Sequence, residues 1–184
     1  MRWHSSAGND IGLVSNVKAK RWVSDHVGIA LIDAGLRRRI GRARVGHFAT
    51  SDGREAALVP VCFVLLGDTV YHAIDAKPKS AAPDNLRRVR NVRANPSAAL
   101  LVDHYDEDWG RLWYVLLRGH AGVLDHGAEQ QRAIAALKRK YVQYRTTLPL
   151  ARDALVIALA VRRISHWRPS SSGRRPADRR VPPA

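Results

Sequence analysis

The stretch that decides the fold spans residues 45–66 and reads VGHFATSDGREAALVPVCFVLL. Its centre, SDGR at 51–54, has the composition of a tight turn, because glycine tolerates the positive φ that hairpin turns need. The flanking segments are largely apolar, so the stretch predicts a β-hairpin with strands at 45–51 and 55–66. Both faces of the second strand are apolar, which predicts that both are buried. Pro60 cannot donate to a strand ladder and therefore indicates a bulge or a sheet edge.

The rest of the chain predicts four more strands and two or three short helices. The strands are expected at 69–74, 97–104, 111–124 and 154–164, and the helices at 36–43, 83–94 and 125–144. Gly119 and Gly122 predict a bend in the fifth strand. Strands and helices do not alternate regularly, which argues against a doubly wound sheet. The pattern therefore predicts a mainly β (α+β) fold, a six-stranded antiparallel barrel.

A single folded domain accounts for most of the 184 residues. We expect an extension at 1–34, disordered or partly helical, a barrel domain at 35–168, and a disordered basic tail at 169–184. No apolar run approaches the roughly 20 residues that a membrane-spanning helix needs. The single cysteine, Cys62, cannot form an internal disulfide, so a reducing cytoplasmic setting is the simplest expectation.

The formal net charge of +15 raises the question of nucleic-acid binding, because clustered basic groups attract phosphate polymers. Residues 1–39 carry seven basic and three acidic side chains, and residues 168–184 carry five basic and one acidic. More than half of the excess charge therefore lies in the two expected tails. The middle of the chain is moderately basic and would suit a small anionic ligand. Specific nucleic-acid binding is not expected.

A candidate phosphate site lies at residues 75–80, which read DAKPKS, between a strand end and a helix start. Lys77 and Lys79 flank a proline, so they project from a stiff extended segment. The following helix offers free N–H groups and the positive end of its dipole. Arg87 and Arg90 on that helix could add bidentate donors. A solvated charge cluster on an exposed loop is the alternative.

A second cluster is aromatic and acidic, YDEDW at 105–109 followed by LWY at 112–114. Such aromatics could wall a planar ring system, or they could be ordinary packing at a barrel mouth or subunit seam. The eight histidines show no metal-ligand spacing, so no metal site is expected. Motifs for a serine nucleophile, a dinucleotide loop and a Walker phosphate loop are missing from the sequence. A phosphate loop without a reactive side chain suggests that a cofactor brings the chemistry.

Four groups of segments occur in a distinctive order between residues 36 and 168. They are ATSDG and VPVCF (49–53, 59–63), KPK with LRRVRN and NP (77–79, 86–91, 95–96), LVDHYDEDW with LWY (101–109, 112–114), and ISHW (164–167). Together they resemble the pyridoxamine-5'-phosphate-oxidase-like (PPOX class) split β-barrels. Within that class they are similar to the probable coenzyme F420-dependent flavin/deazaflavin oxidoreductases of actinobacteria.

The resemblance implies an FMN-binding split barrel type of fold and a homodimer with a cofactor in each of two grooves between subunits. F420 is the implied cofactor, a deazaflavin with a phosphodiester and a polyglutamate tail, and FMN is the alternative. The implied reaction is hydride transfer between reduced F420 and a small organic substrate. A non-catalytic binder of a flavin or another anionic ligand remains the alternative function.

The resemblance also implies roles for individual residues. Phosphate would be held by Lys77 and Lys79, with Ser80, Asn85 and Arg87 as further donors. The ring would lie beside Pro60, Val61 and the segment from His72 to Asp75, and Trp113 would reach it from the other subunit. The catalytic acid is unassigned, with His104 and Tyr105 as the candidates.

Overall fold

The computed structural model describes residues 32–76 and 82–169. These residues form three helices, seven strands and three single turns of 3-10 helix, joined by short connections. In chain order they are α1 (Ala34–Arg42), β1 (Gly46–Ser51), β2 (Ala56–Val61), β3 (Val64–Leu66), β4 (Thr69–Ala73), α2 (Arg87–Ala94), β5 (Ser97–His104), β6 (Trp113–Leu124), α3 (Ala128–Lys140) and β7 (Val156–Trp167).

The seven strands form one antiparallel sheet in the order β2-β1-β5-β6-β7-β4-β3. Its longest pairing joins β6 to β7, with a register shift between Arg118 and Gly119. A Cβ at Gly119 would lie 1.9 Å from the carbonyl oxygen of Ala160, so no side chain fits at the bulge. The bend expected at Gly119 or Gly122 is thereby confirmed at Gly119.

The prediction of six strands is wrong, because the apolar run at 55–66 is not one strand. β2 and β3 lie at opposite ends of the sheet order, and Cys62 and Phe63 connect them. The hydroxyl of Tyr141 accepts from the N–H of Phe63 at 2.9 Å and lies 2.9 Å from its carbonyl oxygen. Both backbone groups of Phe63 are thus satisfied outside any ladder. A seven-stranded split barrel fits this arrangement, and Pro60 lies on the edge strand β2, as expected.

Two apolar clusters hold the sheet together. The larger fills the inside of the curved sheet, with Phe48, Leu100 and Leu117 almost completely buried. The smaller lies between α3 and the β3-β4-β7 end of the sheet, where Leu137 packs with the two tyrosines that follow the helix. The helix expected at 125–144 is therefore present but shorter, since it begins after Gly127, whose φ is 98°.

Helix α1 begins at a side-chain cap, where the carboxylate of Asp33 accepts from the N–H of Leu36 at 2.9 Å. Its Ile40 is fully buried in the larger cluster, while arginines occupy its outer face. The helix expected at 83–94 is interrupted, because Leu86 adopts an extended conformation between a 3-10 turn and α2. Within the described ranges, no helix has the length and apolar character needed to cross a bilayer.

Candidate functional site

A groove of about 570 Å³ lies between the edge strand β2 and the start of α2, and we call it the β2 groove. It is lined by Ala57, Leu58, Val59, Asn85, Leu86, Arg87, Arg88 and Arg90. One wall is the apolar edge strand, where Leu58 is 65% exposed. The other wall is the arginine-rich beginning of the helix.

The arginines of the β2 groove are engaged by neighbouring groups. Arg87 forms a bidentate ion pair with Glu55, in which Nη1 of the arginine lies 3.0 Å from Oε1 of the glutamate. Arg90 donates from Nη1 to the carbonyl oxygen of Asn85 at 2.9 Å. Among the described residues no side chain caps the N-terminus of α2, and the N–H groups of Val89 and Arg90 bond to the carbonyl oxygen of Leu86, which leaves those of Arg87 and Arg88 to face an acceptor. The helix start can therefore present both charge and backbone donors to an anion.

A buried polar cluster adjoins the groove through the half-buried Arg88. Tyr144 donates from its hydroxyl to the Asp75 carboxylate at 3.2 Å. His72 is only 2% exposed, and neither of its ring nitrogens has a hydrogen-bond partner within the described residues. Burial, reinforced by the positive charge of Arg88, lowers the pKa of His72 to about 3. His72 is therefore neutral, and its ring packs edge-on against Phe48 at 4.8 Å.

The same cluster also shifts the pKa values of two further groups, Arg88 and Tyr144. Burial lowers the pKa of Arg88, an effect that the nearby Asp75 carboxylate opposes. Burial, with the proximity of Cys62, raises the pKa of the Tyr144 hydroxyl. The tyrosine therefore stays protonated and acts as a hydrogen-bond donor to Asp75.

The residues predicted to contact the cofactor occupy different places. Asn85 and Arg87 line the β2 groove. Pro60 is exposed on β2, whereas Val61 faces the interior and is 8% exposed. His72 and Asp75 belong to the buried polar cluster described above. Lys77, Lys79 and Ser80 lie outside the described residues.

A second groove, of about 940 Å³, lies at the other end of β1, and we call it the arginine groove. It is formed by α1, the beginnings of β1 and β6, and the ends of β5 and β7. Its charged and aromatic lining residues are Asp33, Arg38, Arg39, Arg42, Arg44, His47, Asp103, His104, Trp113, His166 and Arg168. No residue lines both grooves.

Aromatic and imidazole rings form part of the arginine groove. Trp113 stacks with His104 at a centroid distance of 6.2 Å, and the guanidinium of Arg39 lies 5.0 Å from the Trp113 ring centroid. His104 Nε2 lies 3.5 Å from a carboxylate oxygen of Asp106. Tyr105 is exposed and is not part of the lining. Of the two proton-donor candidates, His104 is thus the one placed beside Trp113.

Sequence reasoning missed the arginine groove and the half-buried Arg88. Arg38 and Arg42 are four residues apart on a helix, a spacing that puts both on one face and could have indicated a charged surface. Arg44 and Arg168 gave no such signal, because only the pairing of β1, β5, β6 and β7 brings them together. Across residues 32–76 and 82–169, no three His, Cys, Asp or Glu side chains converge as a metal site would require.

Solved structures share the fold of this chain at low sequence identity. The conserved hypothetical protein Rv2991 of Mycobacterium tuberculosis matches with a TM-score of 0.59 at 14% identity, over 77% of this chain and 89% of that one. A FAD-binding protein of Mesorhizobium loti gives 0.54 at 17%, over 73% and 94%. The heme storage protein HutZ of Vibrio cholerae gives 0.56 at 14%, over 74% and 94%. No curated protein matches the chain.

The family assignment comes from the sequence model rather than from these neighbours. The model described as pyridoxamine 5'-phosphate oxidase matches residues 33–168. The match begins at the residue that caps α1 and ends one residue after β7, so it spans the whole sheet and both grooves. The chain belongs to the pyridoxamine 5'-phosphate oxidase family of split β-barrel proteins.

Proposed function

We propose that the protein is a coenzyme F420-dependent oxidoreductase that transfers a hydride between the cofactor and a small organic substrate. The β2 groove is the observation that carries this proposal, because it joins an exposed apolar edge to an arginine-rich helix start. A planar ring with a phosphate group needs both surfaces, one to lie against and one to bind its charge.

The chemistry of the β2 groove fits the cofactor's phosphate end. Arg88 and Arg90 line it, and the Nε of Arg88 has no hydrogen-bond partner within the described part of the chain. Lys77 and Lys79 precede Ala82 in the sequence, and Ala82 adjoins the 3-10 turn that contributes Asn85. Two lysines brought to this end of the groove would add charge there.

The ring end of the cofactor would lie along β2. Leu58 presents an exposed side chain there, and Pro60 has no N–H to leave unpaired at the edge. When bound, the reduced cofactor supplies the hydride, so the protein needs no nucleophile of its own. The protein's part is to orient the ring and keep one face open to the substrate, with a proton coming from water or from His104.

A homodimer is part of the proposal. Leu58, Tyr114 and Trp167 are large apolar side chains that a single chain leaves exposed, and the last two stack on each other at 6.4 Å. Covering such a surface with a second copy would remove it from water. The partner subunit's Trp113 would then approach the cofactor ring. The half-buried thiol of Cys62 accords with a cytoplasmic setting.

FMN is the alternative cofactor, and a non-catalytic binder is the alternative function. Among the described residues, arginine is the only ionisable type that lines the β2 groove, a composition that would equally serve binding without turnover. The structural neighbours do not decide the ligand, since one is a FAD-binding protein and another a heme storage protein.

The test is equilibrium binding of F420 and of FMN to the wild-type protein and to Lys77→Ala and Lys79→Ala. Removing a charge-assisted phosphate contact costs about 1.5–3 kcal/mol, which is roughly a tenfold to hundredfold loss of affinity. Lys138→Ala on α3 is the control, because Lys138 lines neither groove. Tighter binding of FMN would move the assignment to the flavin branch, and failure of both ligands to bind would overturn it.

Turnover separates an enzyme from a binder. Reduced F420 bound to the protein should be oxidised when an electrophilic substrate is added, and the change in cofactor absorbance would report it. Tight binding without oxidation across a broad panel of such substrates would favour the non-catalytic alternative.

A further inference from the structure

The arginine groove concentrates positive charge from three separate parts of the chain. Helix α1 contributes Arg38, Arg39 and Arg42, the turn before β1 contributes Arg44, and the end of β7 leads to Arg168. The acidic lining residues are Asp33 and Asp103. Five guanidinium groups therefore face two carboxylates, before the three histidines of the lining are considered. The excess is local to this cavity and does not depend on residues outside the described ranges.

Two of these arginines are not explained by contacts within the protein. Arg38 and Arg42 are exposed, and among the described residues neither makes a hydrogen bond or a close ion pair, although the charge of Arg38 acts on the Asp33 carboxylate. They are four residues apart on α1, where like charges repel across one helical turn. The position of Arg42 in the last turn of the helix is favourable, but that of Arg38 is not so explained. A bound anion would relieve the repulsion between them.

Two of the other arginines, Arg39 and Arg44, are fixed by contacts that shape the groove. Arg44 donates to the carbonyl oxygen of Lys140 at 2.8 Å and stacks over the ring of Tyr141 at 4.6 Å. Arg39 lies over Trp113, whose ring also stacks with His104. The groove thus combines a fixed aromatic wall with two free guanidinium groups at its edge.

We propose that the arginine groove binds a small organic molecule with two or more acid groups, carboxylate or phosphate, and that this molecule is the substrate. Its role as substrate rests on the proposed function, because Trp113 is the residue expected beside the cofactor ring of the neighbouring subunit, and His104, a candidate for the catalytic acid, stacks on it. The binding itself needs no cofactor. At about 940 Å³ the cavity has the size of a small-molecule site rather than of an extended surface for a nucleic acid.

The test is isothermal titration of cofactor-free protein with two probes, pyrophosphate and citrate. The double variant Arg38→Gln/Arg42→Gln removes the two unpaired guanidinium groups while keeping residues that favour a helix. Losing two charge-assisted contacts at a solvated site should weaken binding of the preferred probe by at least about tenfold. The matched control is Arg132→Gln/Arg139→Gln on α3, which removes the same charge outside the groove and should change affinity by less than about twofold.

The outcomes separate the possible ligands. Preference for pyrophosphate would identify phosphate as the acid group, and preference for citrate would identify carboxylate. Equal losses in the two double variants, or no binding of either probe, would overturn the proposal. Tighter binding of a duplex DNA oligomer, lost in Arg38→Gln/Arg42→Gln, would overturn it in favour of a nucleic-acid surface. Probe binding in a protein that binds neither F420 nor FMN would support the polyanion site and overturn only its role as a substrate site.

Discussion

Three arginines line the β2 groove and five line the arginine groove, and the two sets also differ in how much charge each arginine offers a ligand. In the β2 groove, Glu55 neutralises Arg87, and Arg90 is bound to a backbone carbonyl. In the arginine groove, Arg38 and Arg42 make no hydrogen bond and no close ion pair among the described residues. Counting arginines therefore overstates the attraction of the first groove for an anion. The β2 groove would bind an anion mainly through the orientation of its donors, whereas the arginine groove would attract one mainly through its local electrostatic field.

The grooves also differ in what lies beneath them. The β2 groove adjoins the buried polar cluster of His72, Asp75 and Tyr144, reached through Arg88. The arginine groove lies over the open ends of strands, where the side chains of His47 and Asp103 are both nearly half exposed. Conditions that charge a buried group should therefore damage the first groove before the second. A change of pH and two substitutions, Tyr141→Phe and Glu55→Ala, test the comparison between the two grooves.

Acid should have the largest effect, acting through His72. Its pKa is about 3 in the folded protein against 6.5 in the unfolded chain, so between those values the unfolded chain binds the extra proton. The neutral ring of His72 makes its full contribution to the free energy of unfolding above pH 6.5. Below that pH the free energy of unfolding decreases by roughly 1 kcal/mol per pH unit. Urea unfolding at pH 7, 6, 5 and 4 would measure the slope.

The comparison for this experiment is His72→Leu, which removes the titration and keeps an apolar side chain against Phe48. Its stability should fall less steeply with acid than that of the wild type, whatever its value at pH 7. Parallel slopes in the two proteins would mean that His72 becomes protonated without unfolding, and the contrast between the grooves would then lose its physical basis.

Tyr141→Phe should give the next largest effect, because Tyr141 supports both grooves at once. Its hydroxyl accepts from the N–H of Phe63 and lies 2.9 Å from the carbonyl oxygen of Arg44. The variant leaves the buried N–H of Phe63 without a partner, at a cost of about 1–3 kcal/mol. Chemical unfolding would measure the loss. Since the same change removes the hydroxyl that supports the Arg44 backbone carbonyl, pyrophosphate or citrate binding should weaken as well. An effect on stability alone would limit Tyr141 to the junction of β2 and β3.

Local patterns predicted much of the sheet. The SDGR turn, the apolar segments beside it and the glycines of β6 each act over a few residues, and β1, β6 and the bulge at Gly119 appear where these patterns place them. The break at Cys62 and Phe63 could not be predicted in this way. It depends on Tyr141, which is 78 positions away in the chain from Phe63.

The two grooves also differ in how far the sequence alone could predict them. Asn85 and Arg87 are two residues apart, the family resemblance implies both as phosphate donors, and both line the β2 groove. The arginine groove combines residues 38–44 with residue 168, which only the finished sheet brings together. The net charge was visible in the sequence, but its position was not, and a charge interpreted as belonging to tails lies partly on a folded helix.

The smallest expected effect comes from Glu55→Ala, which addresses the comparison most directly. If Glu55 competes with the cofactor for Arg87, removing it should strengthen F420 binding by about twofold to fivefold, the range of one exposed ion pair. Glu107→Ala removes the same charge from an exposed loop outside the β2 groove and should leave affinity almost unchanged. Weaker binding in Glu55→Ala would instead mean that the ion pair orients Arg87 toward the ligand. In that case the affinity of the β2 groove for the cofactor would depend on the orientation that Glu55 gives to Arg87. The arginine groove would differ, because its affinity would depend on arginines without a close ion pair.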